Sequence, residues 1–160
     1  MKNKIAIFPG SFDPITKGHK SIIERATQIF DEIIIAIGIN ANKNTLFSLE
    51  DRKNMLEKSF HNNPKVKIAS FDGLTVDFCK EHNANYIIRG LRNSADFEYE
   101  KTIHEVNTLL YPELETVLLF SEPKYGVITS SLVREIISHK GDISEFVPKE
   151  ILKEVNSKTK

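Results

Sequence analysis

Hydroxyl and imidazole side chains follow the first apolar run of this sequence, where they could bind phosphate. The segment FPGSFDPITKGH brings Ser11 and His19 into one turn that also contains Gly10 and Gly18. Glycine lets the main chain approach a ligand closely, and a helix that begins at Gly18 would offer free N–H groups to an anion. His19 Nε2 could donate to a phosphate oxygen. The alternative is that His19 only caps or packs against the start of the helix.

Two arginines, Arg89 and Arg92, follow a later and almost wholly apolar run in the segment IIRGLRN. A guanidinium stays charged and matches phosphate oxygens through paired hydrogen bonds. Placing one directly after a buried strand costs free energy unless an anion compensates it. The arginines could therefore bind phosphate. The alternative is an internal ion pair with Asp96, Glu98 or Glu100.

Three further segments occupy equivalent positions after apolar runs. Lys43 lies in a loop of small polar residues, where it could bind an anion or be an ordinary solvated lysine. The turn at 72–75 offers main-chain groups and an apolar wall to an uncharged group, unless it is only a tight turn. Tyr125 and Gly126 could face a purine, and the hydroxyls of 129–131 could hold phosphates or simply cap a helix. Together the five segments predict a polyphosphate site.

The elements that must position these residues alternate between strands and helices. Strands are predicted at 4–8, 32–39, 65–71, 85–90 and 116–120, and helices at about 18–30, 48–60, 74–83, 95–110, 130–139 and, as a short C-terminal tail, 148–158. This alternation predicts an α/β fold, a Rossmann-like doubly wound sheet of five parallel strands with helices on both faces. We expect one domain over residues 1–160. Ligands bind beyond the carboxyl ends of such strands, which is where all five segments lie.

Composition narrows the class of protein. Lys and Arg number 22 and Asp and Glu number 22, so the formal net charge is zero and a nucleic-acid-binding role has little support. Cys79 is the only cysteine, which excludes a disulfide framework and a cysteine-rich zinc site. The most apolar stretch, at 33–39, is too short to cross a bilayer. We expect a soluble cytoplasmic protein without a tightly bound, protein-ligated metal.

The longest motifs identify a family. The sequence contains no GxxxxGK[ST] loop and no GxGxxG fingerprint. TKGH at 16–19 and ITSSLVR at 128–134 resemble the two signature motifs of the nucleotidyltransferase superfamily. PGSFDPITKGH, IIRGLRNSADFEYE and YGVITSSLVRE resemble, more closely, the bacterial phosphopantetheine adenylyltransferase family, and the similarity runs nearly end to end.

The resemblance implies an activity that the residues alone do not establish. That family transfers AMP from ATP to 4′-phosphopantetheine with Mg²⁺, giving dephospho-coenzyme A and pyrophosphate in the penultimate step of coenzyme A synthesis. It also implies a homohexamer and feedback inhibition by coenzyme A. The attacking phosphate is already ionised, so no general base is needed, which agrees with the lack of a convincing Ser-His-Asp or Cys-His set.

Three catalytic roles are implied by the resemblance. His19 would stabilise the transition state at the α-phosphate, Lys43 would bind and orient the acceptor phosphate, and Arg92 would bind the ATP phosphates. The residues implied in binding phosphopantetheine are Ser11, Lys43, Leu74, Thr75 and Arg89.

An ATP site built from distant parts of the chain is implied as well. Ser11 stands where the family often has Thr, and Tyr125 where some members have Trp, so a hydroxyl and a stacking ring are kept. Mg²⁺ would be held mainly by the ATP phosphates. The residues implied in binding ATP are Ser11, Phe12, His19, Gly90, Leu91, Arg92, Glu100, Tyr125, Gly126, Val127, Ile128, Thr129, Ser130 and Ser131.

Two other functions stay open on the residues alone. A non-catalytic AMP or ATP sensor would account for the adenine and phosphate segments, but not for the second set of cations at Lys43 and Arg89. A related transferase could act on nicotinamide mononucleotide or on a cytidylyltransferase substrate. Only the resemblance of the IIRGLR and ADFEYE segments favours phosphopantetheine over these acceptors.

Overall fold

The computed structural model describes residues 3–40 and 44–159, which form five strands and six α-helices. The strands are β1 (Ile5–Gly10), β2 (Glu32–Ile39), β3 (Val66–Asp72), β4 (Tyr86–Leu91) and β5 (Glu115–Phe120). The helices are α1 (Lys17–Ala26), α2 (Leu49–Phe60), α3 (Thr75–Glu81), α4 (Ser94–Leu110), α5 (Ser130–Ser138) and α6 (Lys149–Lys158), with a short 3-10 helix at Pro123–Tyr125. Every predicted element is present. The largest difference is in α1, which ends at Ala26 and not near residue 30.

The five strands form one parallel sheet in the order β3-β2-β1-β4-β5. In register, Phe8 of β1 lies beside Ile35 of β2, and Ile7 lies beside Ile87 of β4. The chain runs outward from β1 to β3 and then crosses back to place β4 on the other side of β1. The predicted Rossmann-like sheet is confirmed. The change of direction opens a crevice between the carboxyl ends of β1 and β4.

Helices cover both faces of the sheet. Because successive side chains of a strand point to opposite faces, Phe8 packs into one apolar cluster and Ile7 into another. The cluster around Phe8 includes side chains of α1, α2, α5 and α6, and the cluster around Ile7 includes those of α3. The C-terminal helix α6 is also held by ion pairs, with Lys20 Nζ 2.8 Å from Glu150 Oε1.

Capping side chains define where several helices begin. The Ser48 hydroxyl accepts the N–H of Asp51 at 3.1 Å, as the sequence predicts for the start of α2. Asn93 caps α4 through a 2.9 Å bond from the N–H of Asp96. These caps satisfy N–H groups that a helix leaves without partners in its first turn. They therefore set where each helix starts relative to the preceding strand.

Helix α4 carries an apolar stripe that this chain does not cover. The sequence shows Tyr99, Ile103, Val106 and Leu110 at helical spacing, and all four are exposed, at 62, 37, 49 and 48%. Glu100 is the buried residue of this helix. Periodicity therefore identified the helix but did not show that its apolar stripe stays exposed along an open cleft at the carboxyl edge of the sheet. Within the described residues, the helices are too short or too polar to span a membrane.

Candidate active site

A cleft of about 940 Å³ lies along the carboxyl ends of the strands. Residues that follow all five strands line it, so the predicted convergence at this edge of the sheet occurs. The sequence-predicted residues that line the cleft are Ser11, Phe12, His19, Leu74, Thr75, Arg89, Gly90, Arg92, Glu100, Tyr125, Ile128, Thr129, Ser130 and Ser131.

Four predicted residues are not placed in this lining. Lys43 lies outside the described residues. Leu91 is buried and lines a separate pocket with Phe97 and Phe120, behind the cleft. Gly126 and Val127 do not line the cleft, and the Val127 side chain is largely exposed. The predicted contacts of these last three residues with ATP stay predictions.

The orientation of His19 is set by the first turn of α1. Thr16 caps the helix, and its hydroxyl accepts the N–H of His19 at 3.3 Å. In return, the main-chain N–H of Thr16 donates to His19 Nδ1 at 3.1 Å. Because a main-chain N–H can only donate, Nδ1 must be the acceptor and the ring proton of the neutral form resides on Nε2. His19 is thus part of a helix cap, as the alternative interpretation proposed. The same cap leaves Nε2–H of His19 as a hydrogen-bond donor.

Burial and two nearby arginines keep His19 neutral. Loss of hydration is the largest effect that lowers the pKa of His19, the positive charges of Arg89 and Arg92 add to it, and the pKa falls to about 4. Its ring also contacts the ring of Phe12 edge-on, with 5.2 Å between centroids. Burial and the two arginines each disfavour the imidazolium form, so at neutral pH this side chain is an uncharged, oriented N–H donor.

The turn before His19 is shaped by contact between Gly10 and Phe12. Phe12 has a φ of 49°, an uncommon value for a residue with a side chain. Its ring is 2% exposed and covers Gly10 so closely that a Cβ there would lie 2.9 Å from Phe12 Cζ. Position 10 therefore requires glycine. Phe12 contributes a buried ring to the floor of the cleft, so a predicted ATP contact at this residue would have to come from its main chain.

Arg89 joins β4 to β1 at the switch point of the sheet. Its Nε donates to Glu100 Oε1 at 2.9 Å, and its Nη1 donates to the carbonyl oxygen of Pro9 at 2.8 Å. Glu100 is 6% exposed, so it places a buried carboxylate against the arginine. The ion pair considered as an alternative is therefore present. It also holds the guanidinium beside the turn that carries His19.

Arg92, which precedes α4, forms a two-pronged ion pair with Asp96 in the first turn of that helix. Its Nε and Nη2 donate to the two carboxylate oxygens of Asp96, at 3.0 and 3.2 Å. The main-chain N–H of Arg92 adds a 2.9 Å bond to Asp96 Oδ2. Partial burial raises the pKa of Asp96, but the hydrogen bonds from Arg92 outweigh burial and leave the pKa below its usual value. The carboxylate is ionised at neutral pH, and any phosphate that binds Arg92 must compete with it.

The hydroxyls at the start of α5 already have protein partners. Thr129 caps the helix by accepting the N–H of Leu132 at 3.0 Å, as the capping alternative predicted. Ser130 Oγ donates to the carbonyl oxygen of Pro14 at 2.8 Å. Ser131 Oγ accepts from Arg134 Nη2 at 3.2 Å. The bond from Ser130 attaches the start of α5 to the turn at 11–16, hereafter the β1 turn, and Ser130 and Ser131 line the cleft.

The far end of the cleft, after β3, is more apolar. Gly73 has a φ of 91°, a left-handed value that favours glycine in this turn. Leu74 follows with 57% of its surface exposed, and Thr75 begins α3. At the opposite end of the cleft, Lys124 Nζ lies 4.7 Å from the centre of the Tyr125 ring. The two ends therefore differ, with an apolar wall at one and an aromatic ring at the other.

Among the described residues, the cysteine is not activated as a nucleophile and no metal site is built. Burial raises the pKa of Cys79 to about 12, so the thiol stays protonated and unreactive. No group of three or more His, Cys, Asp or Glu among the described residues is arranged to hold a metal ion. Sequence reasoning passed over Asp13, a buried carboxylate in the same turn as His19. The sequence feature that could have identified Asp13 is the presence of an acidic residue in a segment whose other residues suit the binding of anions.

Comparison with known proteins identifies the family. Residues 7–136 match the family model described as cytidylyltransferase-like. The phosphopantetheine adenylyltransferase of Bacteroides thetaiotaomicron is 50% identical over 143 residues, which cover 89% of this chain and 94% of the relative. That of Flavobacterium psychrophilum is 51% identical over 146 residues, covering 91% and 96%. That of Clostridium perfringens is 44% identical over 155 residues, covering 97% and 94%. The chain, with its switch-point cleft and near-complete similarity to these relatives, belongs to the phosphopantetheine adenylyltransferase family of cytidylyltransferase-like proteins.

Proposed function

We propose that this chain transfers the adenylyl group of ATP to 4′-phosphopantetheine, giving dephospho-coenzyme A and pyrophosphate in coenzyme A biosynthesis. The relatives that match it over most of their length bear the name of this activity. The single structural observation that supports the proposal best is the neutral His19 ring, held by Thr16 beside Arg89 and Arg92. Such a group can donate to a phosphate whose negative charge grows during transfer.

The reaction on this cleft is an in-line displacement without a covalent enzyme intermediate. An oxygen of the acceptor phosphate attacks the α-phosphorus, the bond to the bridging oxygen breaks, and pyrophosphate leaves with the electron pair. No proton has to be removed, because the acceptor phosphate is already ionised. Catalysis then consists of positioning and charge stabilisation. His19 Nε2–H would donate to an equatorial oxygen of the α-phosphate.

Most residues that we assign to the two substrates follow strands on opposite sides of β1. Leu74 and Thr75, assigned to the acceptor, follow β3, whereas Arg92 and the segment 125–131, assigned to ATP, follow β4 and β5. His19 follows the central strand β1, between these halves. Lys43, which follows β2, would bind the acceptor phosphate, and Arg89 would reduce the repulsion between the two anions. Ser11, in the central turn, would contact both substrates.

Mg²⁺ fits this arrangement as an ion carried by ATP. The acids nearest the arginines, Asp96 and Glu100, are engaged in ion pairs, and the described residues contain no group suited to hold a metal alone. The ion would therefore be bound mainly by the ATP phosphates and would neutralise their charge. The protein contributes Arg89 and Arg92 to the same purpose.

A turnover assay tests the proposal and separates it from its alternatives. The purified protein is mixed with ATP, Mg²⁺ and 4′-phosphopantetheine, and pyrophosphate and dephospho-coenzyme A are measured. Nicotinamide mononucleotide as acceptor and CTP as donor provide matched controls. ATP binding without any pyrophosphate release would support a non-catalytic sensor. Faster turnover with nicotinamide mononucleotide or CTP would assign the chain to a different transferase.

We extend the proposal to the assembly, regulation and location of the protein. The exposed apolar stripe of α4 supports a homo-oligomer, with a hexamer expected from the family, because such a stripe is unfavourable in water. We propose coenzyme A as a feedback inhibitor and the cytoplasm as the location. Light scattering in solution measures the mass of the assembly. Addition of coenzyme A to the turnover assay measures inhibition, with pantetheine as the control that lacks the nucleotide.

A further inference from the structure

The buried carboxylate of Asp13 holds a segment distant in sequence. Asp13 is 2% exposed, and each of its oxygens accepts a main-chain hydrogen bond. The N–H of Leu46 donates to Oδ2 at 2.8 Å, and the N–H of Phe47 donates to Oδ1 at 2.9 Å. Since a carboxylate offers acceptors only, both oxygens suit this pair of donors. The segment 44–47, between β2 and α2, is thereby attached to the β1 turn.

The main chain around Asp13 is attached to the other side of the cleft. Arg134 Nη1 of α5 donates to the carbonyl oxygen of Asp13 at 2.8 Å and lies 3.8 Å from its Oδ2. The next residue, Pro14, accepts a bond from Ser130 of α5. The β1 turn thus connects α5 to the loop after β2, and the carboxylate of Asp13 makes the contacts on the loop side.

Burying a carboxylate to hold a loop is unfavourable in free energy unless other interactions compensate it. Removing an ionised group from water is unfavourable unless hydrogen bonds and an opposite charge compensate it. Here two N–H groups and the nearby Arg134 do so. Bonds to an ionised acceptor are about twice as strong as neutral ones, so the held segment is restrained more firmly than by a hydroxyl cap. Such restraint is useful where a segment forms the wall of a binding site.

The restrained segment lies on the acceptor half of the cleft. Asn44 and Thr45 line the cleft directly before the two residues that Asp13 holds. They follow β2, which lies between β1 and β3, so they lie on the same side as Leu74 and Thr75. Of the residues assigned to ATP, Arg92 and the segment 125–131 lie on the opposite side of β1. Movement of the 44–47 segment would therefore alter the acceptor half before the ATP half.

We propose that Asp13 is a positioning residue that holds the 44–47 segment and so sets the affinity of the cleft for the phosphorylated acceptor. The assignment of this half to the acceptor rests on the proposed function. The restraint itself rests only on the buried carboxylate and its two donors. Asp13 lines the cleft, but both of its carboxylate oxygens are engaged by Leu46 and Phe47, so its action is through the segment.

The variant Asp13→Asn tests the role with little change in shape. An amide keeps one acceptor oxygen but turns its NH₂ group toward the second N–H, so one hydrogen bond is replaced by two opposed donors. We expect KM for 4′-phosphopantetheine to rise by up to about tenfold, the limit reached when the free energy of the lost internal bond is transmitted fully to acceptor binding. KM for ATP should change little, because the carbonyl bond from Arg134 is kept. Equal increases in both KM values, or no increase in either, would overturn the proposal.

Asp142→Asn is the matched control. The Asp142 carboxylate also accepts a main-chain bond, from the N–H of Ser144 at 2.9 Å, but it is exposed and does not line the cleft. We expect both KM values to stay at the wild-type level. A rise of the acceptor KM in this control equal to that of Asp13→Asn would show a general response to losing an aspartate and would overturn the specific role.

Hydrogen exchange in the wild-type protein tests the restraint whether or not the variant folds. The amides of Leu46 and Phe47 should exchange slowly, and saturating 4′-phosphopantetheine should slow them further, whereas ATP should have a smaller effect. Exchange at unprotected rates, or equal slowing by both substrates, would overturn the proposal. Failure of the proposed function would give a different result. The wild-type protein would then release no pyrophosphate, while the amides of Leu46 and Phe47 would still exchange slowly.

Discussion

Arg89 Nε lies 2.9 Å from Glu100 Oε1, and this pair crosses from β4 to α4 beside the turn that carries His19. The arginine was predicted to bind an anionic substrate and the glutamate to contact the nucleotide. The structure places them against each other. Since Arg89 also donates to the carbonyl oxygen of Pro9, the glutamate helps to hold an arginine that spans two strands. Its structural contribution can be measured apart from catalysis.

Replacement of this glutamate should destabilise the fold. In Glu100→Ala the guanidinium of Arg89 loses its buried partner, a change that typically costs about 3–5 kcal/mol. The Arg89 side chain keeps 31% of its surface accessible, so hydration offsets part of the loss and we expect about 2 kcal/mol. Urea unfolding measures the change. Glu98→Ala on the exposed face of α4 is the control, and an equal effect there would contradict the importance of the pair.

His19→Ala should remove turnover and keep the binding of ATP. Loss of one donor to a charged transition state usually lowers the rate by about 10²–10³-fold. The ring makes the contact that Thr16 orients, while the ATP phosphates retain the arginines and the start of α5. Pyrophosphate release gives the rate, and calorimetry gives the affinity for ATP. An unchanged rate would eliminate the proposed role of His19.

Stability should fall as the pH is lowered toward 4. The pKa of His19 is about 4 in the folded protein and 6.5 when unperturbed, so between these values the unfolded chain binds more protons. The stabilisation of the folded state by a neutral His19 is therefore complete above about pH 6.5 and lost as the pH falls toward 4. Thermal unfolding of the wild-type protein and His19→Gln over this range tests the sign. The variant should show the flatter dependence, and parallel curves would contradict the low pKa.

Arg92 should contribute more to the binding of ATP than to the binding of the acceptor. We expect Arg92→Ala to weaken ATP binding about tenfold or more, as for loss of a hydrogen bond to a charged group. Arg92→Lys should recover only part of the loss, since an ammonium cannot replace the two-pronged guanidinium contact. Calorimetry with ATP and with 4′-phosphopantetheine compares the substrates. Lys101→Ala, a charge loss on the exposed side of α4, is the control, and equal losses for both substrates would assign Arg92 to neither.

Hydrophobic patterning predicted the fold well because it acts locally. The run EIIIAIGI gave the bounds of β2 without error, and Ser48 with acids in the next turn located the start of α2. In α1 the apolar residues Ile29 and Phe30 extended the predicted helix beyond its end at Ala26. Phe30 still packs in the core, but it does so from the turn that follows the helix.

Pairings between distant residues were not predictable from the sequence. The ion pair of Arg89 had three possible acidic partners, and only the path of α4 relative to β4 selects Glu100. Asp13 finds its partners 33 and 34 residues later, at a distance along the chain where no periodicity applies. The apolar stripe of α4 is visible in the sequence, but periodicity does not tell whether it faces the sheet or the solvent.

The bond from the Thr16 N–H to His19 Nδ1 means that the main chain determines which ring nitrogen of the histidine carries the proton. Every residue except proline would bring the same amide to position 16, so natural substitution there can leave the tautomer of the histidine intact. Position 19 has no such tolerance, because the imidazole must accept at one nitrogen while it donates at the other. Substitution at position 16 should therefore weaken the helix cap but keep the tautomer, whereas substitution at position 19 should remove the donor itself.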